Sequence, residues 1–339
     1  MNHAFRFHNY MLLLLTVILM FGVLLMQCSC DVSEPHSVTR PDTPSGLQTG
    51  VIGESLEYTT GGSTCSQNHD VEYRFDWGDE DLSDWGAEVQ AHSYENPGVY
   101  IVRAQARCAK KTGIESIWSA GKRVTIMIET GTMTGNDGTV YQTVKIGNQW
   151  WMAENLKETQ YRNGEAILNA TADSTWAGLS TGARCAYENN ETTANTYGYL
   201  YNWYAVDDNR KLAPSGWRVP TDADWKQLEM YLGMNQEQAD KDHWRGTDEG
   251  GQLKEAGTGH WRSPNTGATN ERQFAALPGG YRYGGGQFAN MGNRASFWSA
   301  TDYDAGYAWG RELHYYESGV FRQYYNNRYG FSVRLIRDN

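Results

Sequence analysis

Positive charge is in short supply in this chain. Its 339 residues carry 29 Lys and Arg against 40 Asp and Glu, a formal net charge of −11, and the sequence pI is about 5.2. Nucleic acid and anionic lipid surfaces both call for a basic face, so neither is expected as a partner. Cysteine is scarce too, at five, an odd number whose placement matters more than its size. Histidine is thin where a metal enzyme would need it. Residues 129–339 hold His243, His260 and His314, with no HxxH or HExxH spacing, which argues against zinc chemistry in that stretch. Proline is rare at 8, whereas 37 Gly, 13 Trp and 22 Tyr suggest short strands and turns over an aromatic core.

A long apolar run occurs near the start, at residues 11–26, interrupted by Thr16 and Gly22 and preceded by a weakly basic stretch around Arg6. It reads as a secretory signal with a long hydrophobic region. A membrane span needs about 20 apolar residues, so the signal-anchor alternative is marginal. The run ends in Leu25-Met26-Gln27-Cys28, which resembles a bacterial lipobox. The resemblance implies cleavage after residue 27 and lipidation of Cys28, with Cys30, behind Ser29, as the alternative. Two or more acyl chains suffice for stable anchoring, here to the outer membrane of a cell envelope. Residues 28–46 then form a polar, Pro- and Ser-rich tether.

Residues 47–128 read as a β-sandwich. In residues 71–77, Val71, Tyr73, Phe75 and Trp77 alternate with Glu72, Arg74 and Asp76, the pattern of a half-buried strand. Residues 99–108 alternate again after the turn Glu95-Asn96-Pro97-Gly98, and Val124, Ile126 and Ile128 give a last strand. Residues 55–60 give an early one. Cys65 and Cys108 are the two cysteines of this stretch, and an oxidising compartment makes a disulfide between them the economical expectation, stabilising by about 3–4 kcal/mol on a chain-entropy account. Asp76, Asp79, Glu80 and Asp81 read as a hairpin with Asx turns rather than a calcium loop. Phe75-Asp76-Trp77-Gly78-Asp79, with His92-Ser93-Tyr94 and Gly98-Val99-Tyr100, resembles the polycystic-kidney-disease (PKD) type of immunoglobulin-like module. That resemblance implies a spacer on a surface protein.

Residues 129–339 are aromatic and turn-rich. Residues 197–220 place Tyr197, Tyr199, Tyr201, Trp203, Tyr204 and Trp217 in a span broken by Asn, Asp, Pro and Gly. The span is too polar for a membrane and too aromatic for a solvated loop, so it reads as core. The clearest helix covers residues 222–232. Thr221 is its N-cap, Asp222 and Asp224 lie in its first turn, Gly233 ends it, and Trp225, Leu228 and Leu232 share a face. A second short helix is expected at 252–256, and Phe331, Val333 and Leu335 suggest a closing strand. The ordered motifs DGTVYQTVKIGNQWWMAENLK, YGYLYNWYAV with APSGWRVPTDADW, LPGGYR, FWSAT and GFSVRLIRD resemble the Fibrobacter succinogenes major paralogous domain over residues 135–338. The resemblance implies a secreted or lipid-anchored bacterial protein and a C-type-lectin-like fold, with a twisted mixed sheet, few helices and much ordered loop. The expected class is therefore mainly β with α+β character: an N-terminal immunoglobulin-like β-sandwich, then a C-type-lectin-like mixed domain. Formylglycine-generating relatives of that fold rely on a Cys pair, and Cys185 stands alone here, expected as a buried, inert thiol. Asp173-Ser174-Thr175 resembles a short bacterial O-glycosylation motif.

No established activity comes with that resemblance, so function is read from residue types. Carboxylates are plentiful, and a carbohydrate-active hydrolase using two of them is one alternative; a structural surface subunit is another. The favoured reading is a non-catalytic binding or adhesion module for a glycan or an envelope protein. The binding candidates are Tyr281 and Tyr283 in the Gly-rich segment, and Tyr324, Tyr325, Asn326 and Arg328 beyond it, where aromatic rings alternate with hydrogen-bonding groups. A calcium site is a further candidate, at Glu188, Asn190, Asp207 and Asp208, with solvated loops held by Asx turns as the alternative.

Overall fold

The computed structural model describes residues 35–338. The signal sequence, Cys28 and Cys30 lie outside the described residues. Strands dominate and the helices are few and short. The chain divides into two compact units, the first holding most of the sequence up to Thr125 and the second nearly all of the remainder.

In the first unit, Leu56–Thr59 pairs with Ser45–Gly46 on one side and Val89–His92 on the other. A larger sheet runs through Thr49–Val51, Lys122–Met127, Gly98–Cys108 and Val71–Asp76, with Lys111–Glu115 added to Gly98–Cys108. The alternation seen in the sequence places Tyr58, Phe75, Val102, Ala104, Ala106 and Val124 in the core. Phe75 and Trp77 stack at 4.9 Å, and Trp77 also meets the Tyr58 ring at 5.8 Å, which joins the two sheets. Asp76 and Asp79 turn back to the Gly78 and Asp81 N–H groups, as expected of Asx turns.

Two expectations for this unit are corrected. The tether does not extend to residue 46. Asp42 N–H bonds the Gly61 carbonyl, Thr39 N–H bonds the Thr64 carbonyl, Ser45–Gly46 is itself a strand, and Pro41 and Pro44 are buried, so this segment is held by backbone pairing together with two buried prolines. The disulfide is not formed. Cys65 and Cys108 are free thiols with sulfurs 3.4 Å apart, well beyond a bond of about 2.05 Å.

The second unit is built around a six-stranded sheet in the order His243–Arg245, Val320–Asn326, Tyr307–His314, Arg294–Asp304, Gly279–Arg282, Phe288–Met291. Both of its faces are buried. Strand alternation sends Ala295, Phe297 and Leu313 into a core with Trp151, Trp225, Leu228 and Phe274. It sends Trp298 and Ala308 into another with Tyr201, Tyr281, Phe331 and Val333. The 197–220 stretch supplies Tyr201, Trp203, Val206 and Leu212 to this second core, as its composition suggests.

The helix Asp222–Tyr231 starts as its sequence predicts, with a capping box between Thr221 and Asp224 and with Trp225 and Leu228 buried. Its buried acids face the sheet. Glu229, fully buried, takes two hydrogen bonds from Arg245 (2.7 and 2.8 Å) and one from Arg311 (2.8 Å). Asp222 takes two from Arg322 at 2.9 Å and an ion pair with Arg311 at 2.8 Å. Burial alone would raise the Asp222 carboxyl, but the two guanidiniums outweigh it and hold it well below the usual range.

Two smaller corrections concern burial. The short helix lies at Glu249–Leu253, not 252–256, because Lys254 is drawn inward to donate to the carbonyls of Thr266, His314 and Glu317. Residues 331–336 do not alternate. All are buried, Arg334 included, and the strand proper is Ile336–Arg337. Arg334 is satisfied by the Asn155 side chain and by the carbonyls of Met152, Phe274 and Ala275.

Replacing Glu229 with Gln strips the charge that Arg245 and Arg311 share. A loss of about 3–5 kcal/mol is expected in urea unfolding, the cost of leaving buried cations unpaired. A loss under about 1 kcal/mol would show that the arginines find other partners. Glu158 gives a pH signature. Burial, with the Asp137 charge adding to it, pushes its carboxyl up to about 7. Between its ordinary range and that value the folded state keeps a proton that the unfolded state releases, so stability falls as pH rises through this window. Relative to Glu158→Gln, the wild type is expected to be less stable at pH 8 than at pH 5. Equal differences at the two pH values, in paired thermal melts, would refute this.

Candidate functional site

On the sheet face opposite the helix, polar residues replace apolar ones at alternate positions. Register pairs Arg294 with His314 and Ser296 with Glu312, so all four point the same way. Tyr325 and Gln323, opposite Ala308 and Gly310, share that face. Glu312 is the hub. Only 2% exposed, its carboxylate meets His314 Nε2 at 2.8 Å, Arg294 Nη1 at 3.2 Å and Ser296 Oγ at 3.5 Å. The Tyr325 hydroxyl also bonds Glu312, and burial together with that carboxylate raises the Tyr325 hydroxyl well above its ordinary value. His314 is fixed from its other nitrogen by the Tyr316 hydroxyl at 3.0 Å, and the Trp244 ring lies edge-on to it at 4.7 Å.

Tyrosines wall this polar floor. Tyr281 stacks near Tyr329 (6.2 Å, 27°), and Tyr329 meets Tyr325 at 5.8 Å and Tyr283 at 5.6 Å. Hydroxyls line up as well: Tyr281 OH is 3.0 Å from Tyr283 OH and accepts from Asn290 Nδ2 at 3.0 Å. Burial, then the Tyr283 hydroxyl, raises Tyr281. Tyr283 is 39% exposed, so the wall reaches solvent. The Gln323 Oε1 atom is buried and accepts no hydrogen bond among the described residues.

The sequence candidates divide around this tyrosine cluster. Tyr281, Tyr283 and Tyr325 are brought together in it. Tyr324 is not: alternation turns it to the other face, where it stacks on Tyr303 at 4.0 Å and packs against Trp309. Asn326 accepts from the Arg328 N–H, and Arg328 Nε donates to the Leu179 carbonyl, so both brace a turn. The calcium candidates do not converge. Asn190 caps the helix Glu191–Tyr197, and Asp208 is held by Arg210 at 2.7 and 2.9 Å. Glu188, Asp207 and Asp208 are not among the described side chains that gather closely enough to share an ion. Cys185 is buried, and burial pushes its thiol up to about 11, which leaves it a poor nucleophile.

Sequence reasoning missed Arg294, Ser296, Glu312, Gln323 and Tyr329 and passed over His314. The signal was the alternation Arg294-x-Ser296 and Glu312-x-His314 in adjacent strands. A concavity of about 240 Å³ lies beside Trp217, but its Arg218 is paired with Asp224 and its Arg162 holds the Ala213 and Pro214 carbonyls.

A family profile, the Fibrobacter succinogenes major domain, matches residues 144–337. The chain belongs to this family. Its match spans both the buried helix–sheet network and the tyrosine cleft. No curated protein matches the chain. Among solved structures, the chain is similar to the PKD domain of an M14-like peptidase from Thermoplasmatales archaeon SCGC AB-540-F20. Identity is 26%, covering 26% of this chain and 94% of that one, with a TM-score of 0.23.

Proposed function

We propose that the protein is a cell-envelope lipoprotein anchored through Cys28, whose Fibrobacter major domain is C-type-lectin-like and binds a glycan, without catalysis, at the Glu312 tyrosine cleft. The observation that carries this reading is the Glu312 hub itself. A buried carboxylate shared by Arg294, His314, Ser296 and Tyr325 is fixed in place, and aromatic rings with aligned hydroxyls stand beside it. Sugars are recognised by this combination, ring faces against C–H surfaces and polar groups against hydroxyls. Gln323 supports it with an unused acceptor on the same face. The hub also disfavours hydrolysis here, since a carboxylate whose oxygens are engaged by four partners is held to them rather than free to meet a substrate. Binding here would not require calcium.

A glycan array with the full chain, run with calcium and with chelator, tests the reading. Saturable binding in both conditions is expected, reduced at least about tenfold by Tyr329→Ala and by Glu312→Gln, the loss of one good contact or more. Binding abolished by chelator, or unaffected by both substitutions, would move the site elsewhere. No binding at all would leave the structural-subunit alternative in its place. The anchor has its own check: labelled palmitate should enter the wild type and Cys30→Ser but not Cys28→Ser. Label retained in Cys28→Ser would overturn it.

A further inference from the structure

The two free thiols of the first unit do not stand alone. The segment carrying His36 is pinned across from Cys65: Val38 bridges Cys65, Ser66 N–H bonds the Ser37 carbonyl at 3.0 Å, and Ser37 N–H bonds Ser66 Oγ at 3.0 Å. A tight turn through Asn68 (φ 55°), closed by Asn68 N–H to the Cys65 carbonyl, brings His69 back beside Cys65. Pairing of Val71 with Cys108 sets the end of Gly98–Cys108 next to that turn. The result is a quartet. His36 Nε2 lies 3.0 Å from Cys65 Sγ, His69 Nδ1 lies 3.2 Å from Cys108 Sγ, and the sulfurs are 3.4 Å apart. All four ligand atoms lie within 4.8 Å of one another. Both thiols are buried and both imidazoles half-buried.

We propose that His36, Cys65, His69 and Cys108 form a structural zinc site. Tetrahedral bonds of ordinary length to two thiolates and two imidazoles imply edges of about 3.8 Å between sulfurs, about 3.5 Å between sulfur and nitrogen and about 3.3 Å between nitrogens. The sulfur–sulfur contact and the two close sulfur–nitrogen contacts are shorter than these edges by up to about half an ångström, and the remaining separations stay under 4.8 Å, so the side chains move slightly apart to complete the cage. A disulfide accounts for the cysteines but not for two imidazole nitrogens directed at the same two sulfurs from separate segments. The backbone also fits thiolate: N–H groups of Gln67 and His69 bond the Cys65 sulfur. Two soft sulfurs and two imidazoles, with no fifth His, Cys, Asp or Glu ligand among the described residues, select zinc over calcium or magnesium. On binding, each thiol releases its proton and the closed site is neutral, so the role is stapling rather than catalysis. The site links the start of the described chain to the first unit's larger sheet, adding to the hydrogen bonds that already hold that segment.

The full chain, purified without chelator from zinc-supplemented cells, is the material for the test. Elemental analysis is expected to give about one zinc per chain, falling several-fold in Cys108→Ser and in the double variant His36→Ala/His69→Ala. Cobalt substitution of the wild type should give visible bands of tetrahedral Co²⁺ with near-ultraviolet thiolate charge transfer. Chelation should lower the thermal midpoint and expose Cys65 and Cys108 to alkylation. A metal-free protein whose intact mass is lower by two hydrogens, with Cys65 and Cys108 linked in one peptide pair, would overturn the proposal in favour of a disulfide. Zinc fully retained in the double histidine variant would overturn it too. The wild-type mass and metal content decide the matter even if a variant fails to fold.

Discussion

The second unit depends on burying charge where helix meets sheet. Glu229 and Asp222 lie on one helix, and Arg245, Arg311 and Arg322 come from three adjacent strands. Each ion gains by proximity only what it loses in hydration, so the network need not add net stability. Its effect is specificity. A helix rotated or shifted by one residue would bury acids against apolar strands and leave guanidiniums without partners. The hydrophobic contacts of Trp225 and Leu228 tolerate small slips; a bidentate carboxylate–guanidinium pair does not.

Because strand residues alternate, the same constraint shapes the opposite face. Arg311 and Arg322 point to the helix, so their neighbours Glu312, Gln323 and His314 point away from it. One strand thereby carries the arginine that orients the helix and the glutamate that organises the tyrosine cleft. Register links them: a slip that broke the network would also turn Glu312 into the wrong core. The site's floor consists of central strands rather than loops, and the tyrosine wall and the Arg294 side chain reach solvent.

The first unit works on a different principle. It has no comparable buried ionic network among the described residues, and its core is a modest set of aromatic and small residues around Trp77. The His36–Cys65–His69–Cys108 quartet falls at the edge of that core, where extended backbone from three segments meets. Small β modules with limited apolar burial gain most from a cross-link at such a junction.

The sequence by itself determined local features governed by near neighbours. Strand alternation at 71–77, the Thr221 cap and its helix, the Asx turns after Asp76, and the aromatic core of 197–220 all depend on period and capping chemistry, which short spacings encode. Family membership was legible from ordered motifs. The cleft was half legible. Tyr281, Tyr283 and Tyr325 stood out by type, but type cannot say that Tyr324 faces the other way, because strand phase is set by a partner strand. Glu312 looked like one acid among forty. Its burial, and its four partners spread over three strands, exist only once the sheet has formed. The same holds for the cysteines: 42 residues separate Cys65 from Cys108, and the sequence could count the thiols but not the two histidines that folding directs at them.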